Sequence, residues 1–294
     1  MKTPRWTRSA GSARTSAASV IDRGAAAVDD RAVMRILPAD ARAAFAADGV
    51  ICLRGLVDAD AVELLRAATE AALAGPAALF SASGRPLPDS FLWLTQPAVA
   101  ELLLRAPIAA VAGALLGTAA PRLFYDQIFA KDPGRSLATP WHQDAPYWPI
   151  SGEALTVWIA LDPVDHEGGA VRYLPGSHRD GVLYRPTSHQ DRGAWEAVDL
   201  PPLPDLDALP PEALREWTLA PGDALVHHAR TIHGAGPNTR AGRPRRAYAT
   251  RWLGDDARWT PGPETMDFPL PVELRPGDPL RGTLFPEISI AAEI

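Results

Sequence analysis

Proline recurs so often along this chain that the sequence argues against a bundle of long helices. There are 30 prolines among the 294 residues, and each one fixes φ and removes a backbone donor, which ends or kinks a helix. Several stand next to glycine and indicate tight turns, namely Pro133-Gly134, Pro175-Gly176 and Pro221-Gly222. We therefore expect many turns and irregular loops. At this length the chain can form one large domain or two small ones, with a core that needs no disulfide or metal to fold.

The rest of the composition excludes several classes of protein. The single cysteine, Cys52, rules out a disulfide framework and any CxxC zinc site. A net charge of −6 argues against nucleic-acid binding. No apolar run approaches the roughly 18–20 residues of a membrane span. We expect a cytoplasmic protein that acts on a small molecule and has no nucleic-acid or membrane partner. Nothing in the sequence specifies an oligomeric state.

The first 36 residues differ from the rest and are expected to form a disordered tail. Residues 1–35 contain seven Lys or Arg and three Asp, so this segment carries a net charge of +4 and the remaining chain carries −10. The segment is rich in Ala, Ser and Gly and lacks the apolar stretch of a secretory signal. Its Arg- and Ser-rich, acid-poor start also suits an organellar transit peptide, which is the alternative interpretation.

Helix signals dominate the chain up to about residue 118. Apolar residues at helical spacing are bounded by capping residues and by glycine or proline stops. The expected elements are a helix over Ala39–Asp48 that ends at Gly49, a short strand over Val50–Leu56, a helix from Asp58 or Asp60 to about Ala74, and a helix that begins at Pro97, is interrupted at Pro107 and ends at Gly117.

After residue 121 the pattern changes to short strands separated by Gly and Pro turns. The first of them places Tyr125, Gln127, Phe129 and Lys131 on one face. Several short strands without helices between them predict a mainly β fold with flanking helices, a sandwich or a barrel. The predicted strands are Arg122–Lys131, Leu155–Leu161, Gly168–Leu174, Asp223–His228 and Ala247–Leu253.

These segments predict one domain over residues 37–294. It would comprise a helical part to about residue 118, a β core over about 121–255 and a C-terminal Pro-rich extension. Residues 179–220 form a long polar, Pro-rich insertion, and such an insertion in a compact domain is usually a lid or a binding loop.

Three histidines open an H-x-D motif, and their contexts differ. On an extended segment, residues i and i+2 point to the same side, so such a pair offers an imidazole nitrogen and a carboxylate to one cation. His142 and Asp144 follow a strand and a proline turn and lie among large aromatic residues that can wall a dry pocket. His178 follows a turn and is expected to bond the backbone, and His189 lies inside the polar insertion. We therefore favour the pair His142 and Asp144.

A third ligand would complete a face of two histidines and one carboxylate, which leaves three positions open on an octahedral Fe(II). His227, His228 and His233 compete for this role. His227 and His228 adjoin within a strand, so one must face each way. His233 lies just past that strand in a glycine-rich turn that permits close approach of a cation and a co-substrate. Spacing favours His233 over His228.

A co-substrate with two carboxylates needs a cationic anchor. Arginine binds a carboxylate through two parallel hydrogen bonds. Arg243, Arg245 and Arg246 lead into the last predicted strand, about a dozen residues past His233. One of these arginines could reach the same pocket; a solvated basic turn is the alternative.

These motifs resemble the phytanoyl-CoA dioxygenase family of Fe(II)/2-oxoglutarate oxygenases. The similarity begins weakly at FAADGVICLRGLV and becomes strong at TPWHQDAPYW, LTVWIALDPVDHEGGAVRYLPGSH, PGDALVHHARTIHGAGPN and RPRRAYATRW. It covers roughly Phe45 to Leu253 in several ordered blocks. The resemblance implies a double-stranded β-helix core, which is a relative of the jelly roll and the cupins, with helices packed outside. It also implies Fe(II), 2-oxoglutarate and O₂ as cofactor and co-substrates.

Individual residue roles follow from the same resemblance. It implies that His142, Asp144 and His233 bind iron, and that Arg245 grips the distal carboxylate of 2-oxoglutarate, with Arg246 as the alternative. The resemblance also implies a set of residues that line the co-substrate pocket, namely Gln127, Lys131, Thr139 and Trp158. Ala235 departs from the family pattern, because many relatives have there a serine whose hydroxyl bonds 2-oxoglutarate; another donor such as Thr139 could compensate.

The implied activity is hydroxylation or desaturation of a small-molecule metabolite. Halogenases of this superfamily have a small residue in place of Asp144, so halogenation is not favoured. Tyr147, Trp148 and the insertion over residues 179–220 are the candidates for the substrate wall and lid. One alternative is a metal-dependent hydrolase or isomerase that uses no 2-oxoglutarate, and another is a non-catalytic jelly-roll binding protein.

Overall fold

A computed structural model describes residues 37–290, except residues 78, 82, 83, 106, 135, 188–197, 263 and 264. The expected tail over residues 1–36 and His189 lie outside the described residues. The helices are α1 (Ala41–Asp48), α2 (Ala59–Ala74), α3 (Leu92–Thr95), α4 (Pro97–Arg105) and α5 (Ile108–Leu116). The strands are β1 (Val50–Leu53), β2 (Arg122–Lys131), β3 (Thr139–His142), β4 (Ile150–Ser151), β5 (Ala154–Ala160), β6 (Val171–Tyr173), β7 (Arg215–Glu216), β8 (Ala224–His228), β9 (His233–Ala235), β10 (Arg245–Leu253) and β11 (Arg258–Trp259).

The helix ends follow the capping signals in the sequence. Gly49 ends α1 with a φ of 73°, and its N–H donates to the Phe45 carbonyl at 2.8 Å. Asp58, rather than Asp60, caps α2, because its carboxylate accepts the Ala61 N–H at 2.9 Å. Gly117 ends α5 in the same left-handed conformation as Gly49. The predicted helix boundaries are therefore confirmed to within about two residues.

The helices α4 and α5 are largely buried within the protein. Leu103, Ile108 and Val111 have no exposed surface. Among the described residues no single helix is long and apolar enough to cross a membrane, although the bent pair Pro97–Leu104 and Ile108–Leu116 meets the length and composition test together.

The larger sheet has five antiparallel strands in the order β1-β8-β5-β10-β2. Every residue of the central strand β5 is buried, because α5 packs on one face of the sheet and a cavity lies against the other. The register places Arg245 opposite Lys131 and Ala249 opposite Trp158. The strand β10 begins at Arg245, two residues earlier than predicted, which includes this arginine in the sheet.

A smaller sheet has four strands in the order β3-β9-β6-β7. Its register pairs His142 with His233 and Thr139 with Ala235. The strands β3, β7 and β9 are only two to four residues long, too short for alternation to be visible in the sequence. His233 therefore begins a strand of its own, whereas the sequence predicted a turn. The architecture is mainly β with flanking helices.

The C-terminal extension covers the outer edge of the larger sheet. The Leu123 N–H of the edge strand β2 donates to the Pro286 carbonyl, and the Ile288 N–H donates to the Pro121 carbonyl, each at 3.0 Å. Phe285 is buried and stacks on Phe124, with ring centroids 5.8 Å apart. This segment protects an edge that would otherwise expose unpaired backbone groups.

Candidate metal centre

Three side chains from different elements converge at one point of the smaller sheet. His142 ends β3, His233 begins β9, and Asp144 lies in the turn that follows β3. Nε2 of His142 is 3.7 Å from Oδ1 of Asp144, and Nε2 of His233 is 3.8 Å from the same oxygen. All three ligand atoms lie within 4.8 Å of one another. Since metal–nitrogen and metal–oxygen bonds are about 2.0–2.2 Å long, a small inward movement lets one ion contact all three.

The pair His142 and Asp144 converges for a reason other than the predicted one. The sequence argument assumed an extended segment, in which residues two apart share a face. Asp144 instead has φ −72° and ψ −42°, so the chain turns directly after β3. The turn brings the carboxylate back toward both imidazole rings, and the Gln143 side chain is buried elsewhere.

Both imidazole rings are held in the tautomer that a metal ligand needs. Nδ1 of His142 lies 2.8 Å from the Pro140 carbonyl, and Nδ1 of His233 lies 2.9 Å from the Thr231 carbonyl. Because a carbonyl oxygen only accepts, each Nδ1 must carry the proton and each Nε2 presents a lone pair. Burial, and then the neighbouring His142 and His227, hold the pKa of His233 well below its usual range. A neutral His233 is thereby favoured.

The Asp144 carboxylate divides its two oxygens between different tasks. Oδ1 faces the histidines, whereas Oδ2 accepts a hydrogen bond from the Thr156 hydroxyl at 2.8 Å and lies 3.3 Å from Nε2 of His227. Burial raises the pKa of Asp144, but the neighbouring imidazoles of His142 and His227 outweigh it and hold this pKa well below the usual range. The carboxylate is therefore ionised and oriented to bind through Oδ1.

His227 contacts the metal site, although the sequence did not predict its role there. As expected for neighbours on a strand, His227 faces the cavity and His228 faces away, where its Nε2 lies 2.9 Å from Glu153. Since Asp144 is ionised, Nε2 of His227 donates to it, and Nδ1 then accepts from the Tyr173 hydroxyl at 3.1 Å. Tyr173, His227 and Asp144 thus form a hydrogen-bonded chain that ends on the ligand carboxylate.

The three ligands open into a cavity of about 360 Å³ that contains a cationic end. Arg245 is buried there, donates to the Gly169 carbonyl at 2.9 Å and lies 5.4 Å from the Trp158 ring centroid. Its Nε has no partner among the described residues. Burial lowers the pKa of Arg245 to about 10, and burial together with Arg245 lowers the pKa of Lys131 to about 8. Two partly desolvated cations fit a carboxylate ligand.

The neighbouring Arg246 is excluded from this cavity. Its side chain points to the other face of β10, where it forms two hydrogen bonds to Asp162 and another to Glu70. Alternation along the strand thus separates the two candidates, and only Arg245 faces the predicted metal ligands.

The other residues predicted for the co-substrate pocket divide into two groups. Lys131, Thr139 and Trp158 line the cavity. Gln127 does not line it; its amide oxygen accepts from Arg251 at 2.9 Å and its nitrogen donates to Asp89 at 3.2 Å. Gln127 is therefore placed behind the cavity wall, because the longer Arg251 side chain reaches the cavity ahead of it.

The two aromatic residues predicted for the substrate wall, Trp148 and Tyr147, lie in different surroundings. Trp148 is buried in the core, where its Nε1 donates to the Tyr125 hydroxyl at 3.0 Å, so it does not fit the predicted role. The turn after Asp144 directs this ring inward, away from the cavity. Tyr147 packs edge-on against His142 at a centroid distance of 6.0 Å but is not among the residues that line the cavity.

Part of the predicted insertion packs against the segment that carries the ligands. Nε2 of Gln143 donates to the Val182 carbonyl at 3.0 Å, and the Tyr184 N–H donates to Oε1 of Gln143 at 2.9 Å. The Tyr147 hydroxyl donates to the Thr187 carbonyl at 2.5 Å. His178, which directly precedes the insertion, is buried, and its ring lies 5.3 Å from that of His228, centroid to centroid.

Comparison with known sequences identifies a family. The profile of the phytanoyl-CoA dioxygenase (PhyH) family matches residues 45–247. A curated relative, the probable alpha-ketoglutarate-dependent hypophosphite dioxygenase of Stutzerimonas stutzeri, is 34% identical over 119 residues, or 40% of each chain. The chain thus aligns with well under half of the length of this relative.

Two solved structures resemble the chain over most of its length. SnoK, a non-heme alpha ketoglutarate dependent carbocyclase from nogalamycin biosynthesis, is 29% identical with a TM-score of 0.64, over 86% of this chain and 96% of that chain. The epimerase SnoN, solved in complex with Fe3+, alpha ketoglutarate and nogalamycin RO, is 28% identical with a TM-score of 0.62, over 88% of this chain and 99% of that chain.

Proposed function

The chain belongs to the phytanoyl-CoA dioxygenase family, and on this basis we propose that it is an Fe(II)- and 2-oxoglutarate-dependent dioxygenase. In this proposal the protein hydroxylates or desaturates a small-molecule metabolite and releases succinate and CO₂. The family match covers residues 45–247, and this range contains every residue to which the proposal gives a role.

The observation that carries the proposal is the pairing of a ligand set with a buried cation in one cavity. His142, Asp144 and His233 offer two imidazole nitrogens and one carboxylate oxygen, the donor set typical of non-heme Fe(II) oxygenases. Arg245 lines the same cavity, and its buried Nε has no partner among the described residues. A metal ligand set alone would suit many reactions, but a buried guanidinium facing it suits a dicarboxylate that also chelates the metal.

The iron site is completed by contacts behind its ligands. The carbonyls of Pro140 and Thr231 fix the two imidazole tautomers, and Thr156 and His227 hold the outer oxygen of Asp144. Such contacts orient ligands and raise metal affinity. When bound, Fe(II) and 2-oxoglutarate supply the oxidising chemistry, in which O₂ is consumed as 2-oxoglutarate is converted to succinate and CO₂.

The part of the cavity near Arg245 would bind the distal carboxylate of 2-oxoglutarate. Arg245 would form a bidentate pair with that carboxylate, and Lys131 adds a second positive charge. Nζ of Lys131 already donates to the Leu137 and Gly236 carbonyls at 2.7 and 2.8 Å, so one of its three donors has no acceptor among the described residues. Thr139 lies directly opposite Ala235 in the sheet register. In this proposal its hydroxyl replaces the serine donor that Ala235 lacks, which the facing positions of the two residues support.

We further propose that the two sheets form the faces of a double-stranded β-helix. The five-stranded and four-stranded sheets are both antiparallel, and each contributes residues to the cavity: Trp158 and Arg245 from one, His142 and His233 from the other. This arrangement places a buried site between two sheets, where a metal and a substrate are shielded from water.

The substrate is proposed only as a small-molecule metabolite. One relative is named for hypophosphite and two structural neighbours for nogalamycin biosynthesis, so family membership covers unlike substrates. Residues 181–187 and Tyr147 flank the ligand-bearing segment and are our candidates for the substrate wall or lid.

The proposed activity can be tested without knowledge of the substrate. Enzymes of this chemistry convert 2-oxoglutarate slowly in the absence of substrate, so we expect Fe(II)-dependent formation of succinate from 2-oxoglutarate in air, measured by NMR. Asp144→Ala should abolish this conversion, and Arg122→Gln, which lies at the far end of β2, should not change it. Turnover in Asp144→Ala at the level of the unmodified protein would contradict the metal assignment. An Arg245→Ala variant that binds 2-oxoglutarate normally would contradict the role given to Arg245, and an unmodified protein that binds metal but no 2-oxoglutarate would favour an enzyme that does not use this co-substrate.

A further inference from the structure

A second buried guanidinium, that of Arg251, lines the same cavity and has no role in the account above. Arg251 lies on β10, on the same face as Arg245 and six residues beyond it, and only 3% of its surface is exposed. In the sheet register it stands opposite Thr156, whose hydroxyl donates to Asp144. Arg251 therefore lies beside the candidate metal ligands.

Partners within the described part of the chain use less than half of the hydrogen-bonding capacity of Arg251. One terminal nitrogen donates to the Gln127 amide oxygen at 2.9 Å, and the other lies 3.4 Å from the Ala249 carbonyl. Its Nε is buried and has no partner among the described residues. Since a guanidinium has five N–H donors, at least three have no acceptor among the described residues and could bind a ligand.

The position of this guanidinium is fixed even though its donors are free. It packs over the rings of Tyr125 and Phe129, at 4.5 and 5.3 Å from their centroids. Tyr125 in turn is held by a hydrogen bond from Trp148. Cation–π contacts and the bond to Gln127 thus preorganise Arg251 toward the cavity. A side chain held in this way loses little further entropy when it binds a ligand.

The side chains that line the cavity carry more positive than negative charge. Among the described residues that line it, Lys131, Arg245 and Arg251 are basic, whereas the acids are Asp144, which is partly buried, and Asp132, which is exposed. Bound Fe(II) and the 2-oxoglutarate dianion cancel each other, so they leave this excess unchanged. In the part of the chain that the structure describes, Arg251 is linked to a carboxylate only through Gln127, whose amide donates to Asp89. A buried cation without a direct counter-ion is costly, so an anionic ligand here would bind favourably.

We propose that Arg251 binds an oxyanion of the substrate, either a carboxylate or a phosphorus oxyanion, and so presents the substrate to the metal. This inference rests on the proposed function and names the substrate class of the same site. A bidentate pair with Arg251 would fix one end of the substrate, and the bond to be oxidised would then lie in the space beside Asp144 and His227. Arg251 would thus determine which molecules are oxidised, whereas Arg245 serves the co-substrate.

The test compares anions with neutral analogues in the loaded protein. Fe(II) and saturating 2-oxoglutarate are added anaerobically, and matched probes are then titrated by calorimetry: benzoate against benzamide, hexanoate against hexanamide, and phenylphosphonate against its dimethyl ester. We expect the anionic member of at least one pair to bind at least about tenfold more tightly than its analogue, as a charge-assisted bidentate bond predicts. The two carboxylate pairs and the phosphonate pair distinguish the two kinds of oxyanion.

Three variants assign the preference to Arg251. Arg251→Gln should weaken binding of the preferred anion at least about tenfold without changing the affinity for 2-oxoglutarate. Arg251→Lys should retain part of the preference, because the charge remains. Arg122→Gln removes an equal charge at the far end of β2, where Arg122 pairs with Glu287, and should have no effect.

Three outcomes would overturn the inference while leaving the proposed function intact. The anions could bind no better than their neutral analogues to the unmodified protein, a result that needs no variant to fold. The preference could survive in Arg251→Gln. Arg251→Gln could also weaken 2-oxoglutarate as strongly as Arg245→Ala does, which would assign Arg251 to the co-substrate. Failure of the unmodified protein to bind 2-oxoglutarate would instead overturn the proposed function, and the inference with it.

Discussion

The candidate site depends on hydrogen bonds made by the atoms of His142, Asp144 and His233 that point away from the metal position. His142 and His233 each direct Nδ1 to a backbone carbonyl two residues earlier in the chain, Pro140 and Thr231. Since these contacts decide which nitrogen carries the proton, the lone pairs converge before any metal arrives. Asp144 is oriented in a similar way, because Thr156 and His227 donate hydrogen bonds to its outer oxygen, Oδ2. The site is thus preorganised at the level of individual atoms.

His227 offers a direct test of this preorganisation. His227→Phe keeps a ring in the strand but removes the donor to Asp144, so we expect Fe(II) affinity to fall by about 10- to 100-fold, the usual effect of losing such a contact. The measurement is an anaerobic Fe(II) titration followed by calorimetry. The matched control is His228→Phe, one residue along on the opposite face, which should leave Fe(II) affinity unchanged. Equal losses in both variants would show that the effect is general to the strand.

Substitution of Ala235 is predicted to strengthen binding rather than weaken it, in this case the binding of 2-oxoglutarate. Ala235→Ser introduces a hydroxyl beside the cavity, so 2-oxoglutarate should bind more tightly by about 1 kcal/mol, the usual value of one hydrogen bond. If Thr139 already supplies this bond, then Thr139→Val should weaken binding by a similar amount, and Ala235→Ser should restore it in the double variant. Calorimetric titration of 2-oxoglutarate into the metal-loaded protein measures all three. Unchanged affinity in Thr139→Val would remove Thr139 from the co-substrate site.

At the scale of elements, the alternation of β10 assigns its arginines to different tasks. Arg245 and Arg251 face the cavity, whereas Arg246 faces Asp162 and Glu70. The sequence could not choose between Arg245 and Arg246, because the predicted strand began at Ala247 and left both in a turn. Once the strand is known to begin at Arg245, the alternation of side chains shows that Arg245 and Arg246 face opposite sides of the sheet.

Substitution of Arg246 should therefore lower stability, whereas substitution of Arg245 should lower 2-oxoglutarate affinity. Arg246→Gln breaks a partly buried bidentate pair with Asp162, so the free energy of unfolding should fall by about 1–3 kcal/mol while 2-oxoglutarate affinity stays the same. Arg245→Gln should lower 2-oxoglutarate affinity at least about tenfold. Urea denaturation and calorimetry provide the two readouts. Weaker 2-oxoglutarate binding in a folded Arg246→Gln protein would contradict this division.

The longer elements were predictable and the short ones were not. Caps and stops such as Asp58, Gly49 and Gly117 act locally, so the helix ends could be placed from sequence. Arg122–Lys131 was predicted with its correct limits because ten residues suffice to show alternation. The strands that carry His142 and His233 have three or four residues and exist through pairing with each other. Long-range pairing of that kind leaves no periodic signal in the chain.

The sequence predicted which residues form the candidate metal site but not the backbone conformation that brings them together. The spacing favoured His142, Asp144 and His233, and the structure brings them together, although through a turn rather than along a strand. Gln127 lies behind Arg251, and sequence does not show which of two long side chains reaches a cavity first. Trp148 lies in the core because of the turn after Asp144, which the sequence did not predict. Arg251 and the contact of His227 with Asp144 depend on a register across three strands, which no local pattern reveals.

At the scale of the whole molecule, one buried acid links the helical part to the β core. Asp126 of β2 accepts hydrogen bonds from the Trp93 N–H in α3 and from the Tyr248 hydroxyl in β10, at 3.1 and 2.7 Å. Burial raises the pKa of Asp126 to about 6 despite these bonds. The folded protein therefore binds this proton more tightly than the unfolded chain, whose Asp has a pKa of about 3.9.

This difference predicts how stability changes with pH. Because the folded state holds the proton more tightly, the contribution of Asp126 is fully present below about pH 4 and is lost as the pH rises through about 6. Two pKa units correspond to about 3 kcal/mol. Relative to Asp126→Asn, the free energy of unfolding of the unmodified protein should thus decline by about this amount between pH 4 and pH 7. Urea denaturation at both pH values tests it, with exposed Asp60→Asn as the control; a constant difference would refute it.

The central claim is that one cavity binds Fe(II) through His142, Asp144 and His233 and 2-oxoglutarate through Arg245. The most direct measurement is anaerobic addition of Fe(II) and 2-oxoglutarate to the purified protein, with the visible spectrum recorded for the weak charge-transfer band of the chelate. The account predicts this band in the unmodified protein and its loss in both His233→Ala and Arg245→Ala. Metal binding without the band in the unmodified protein would contradict the account and indicate a metalloenzyme that does not use 2-oxoglutarate.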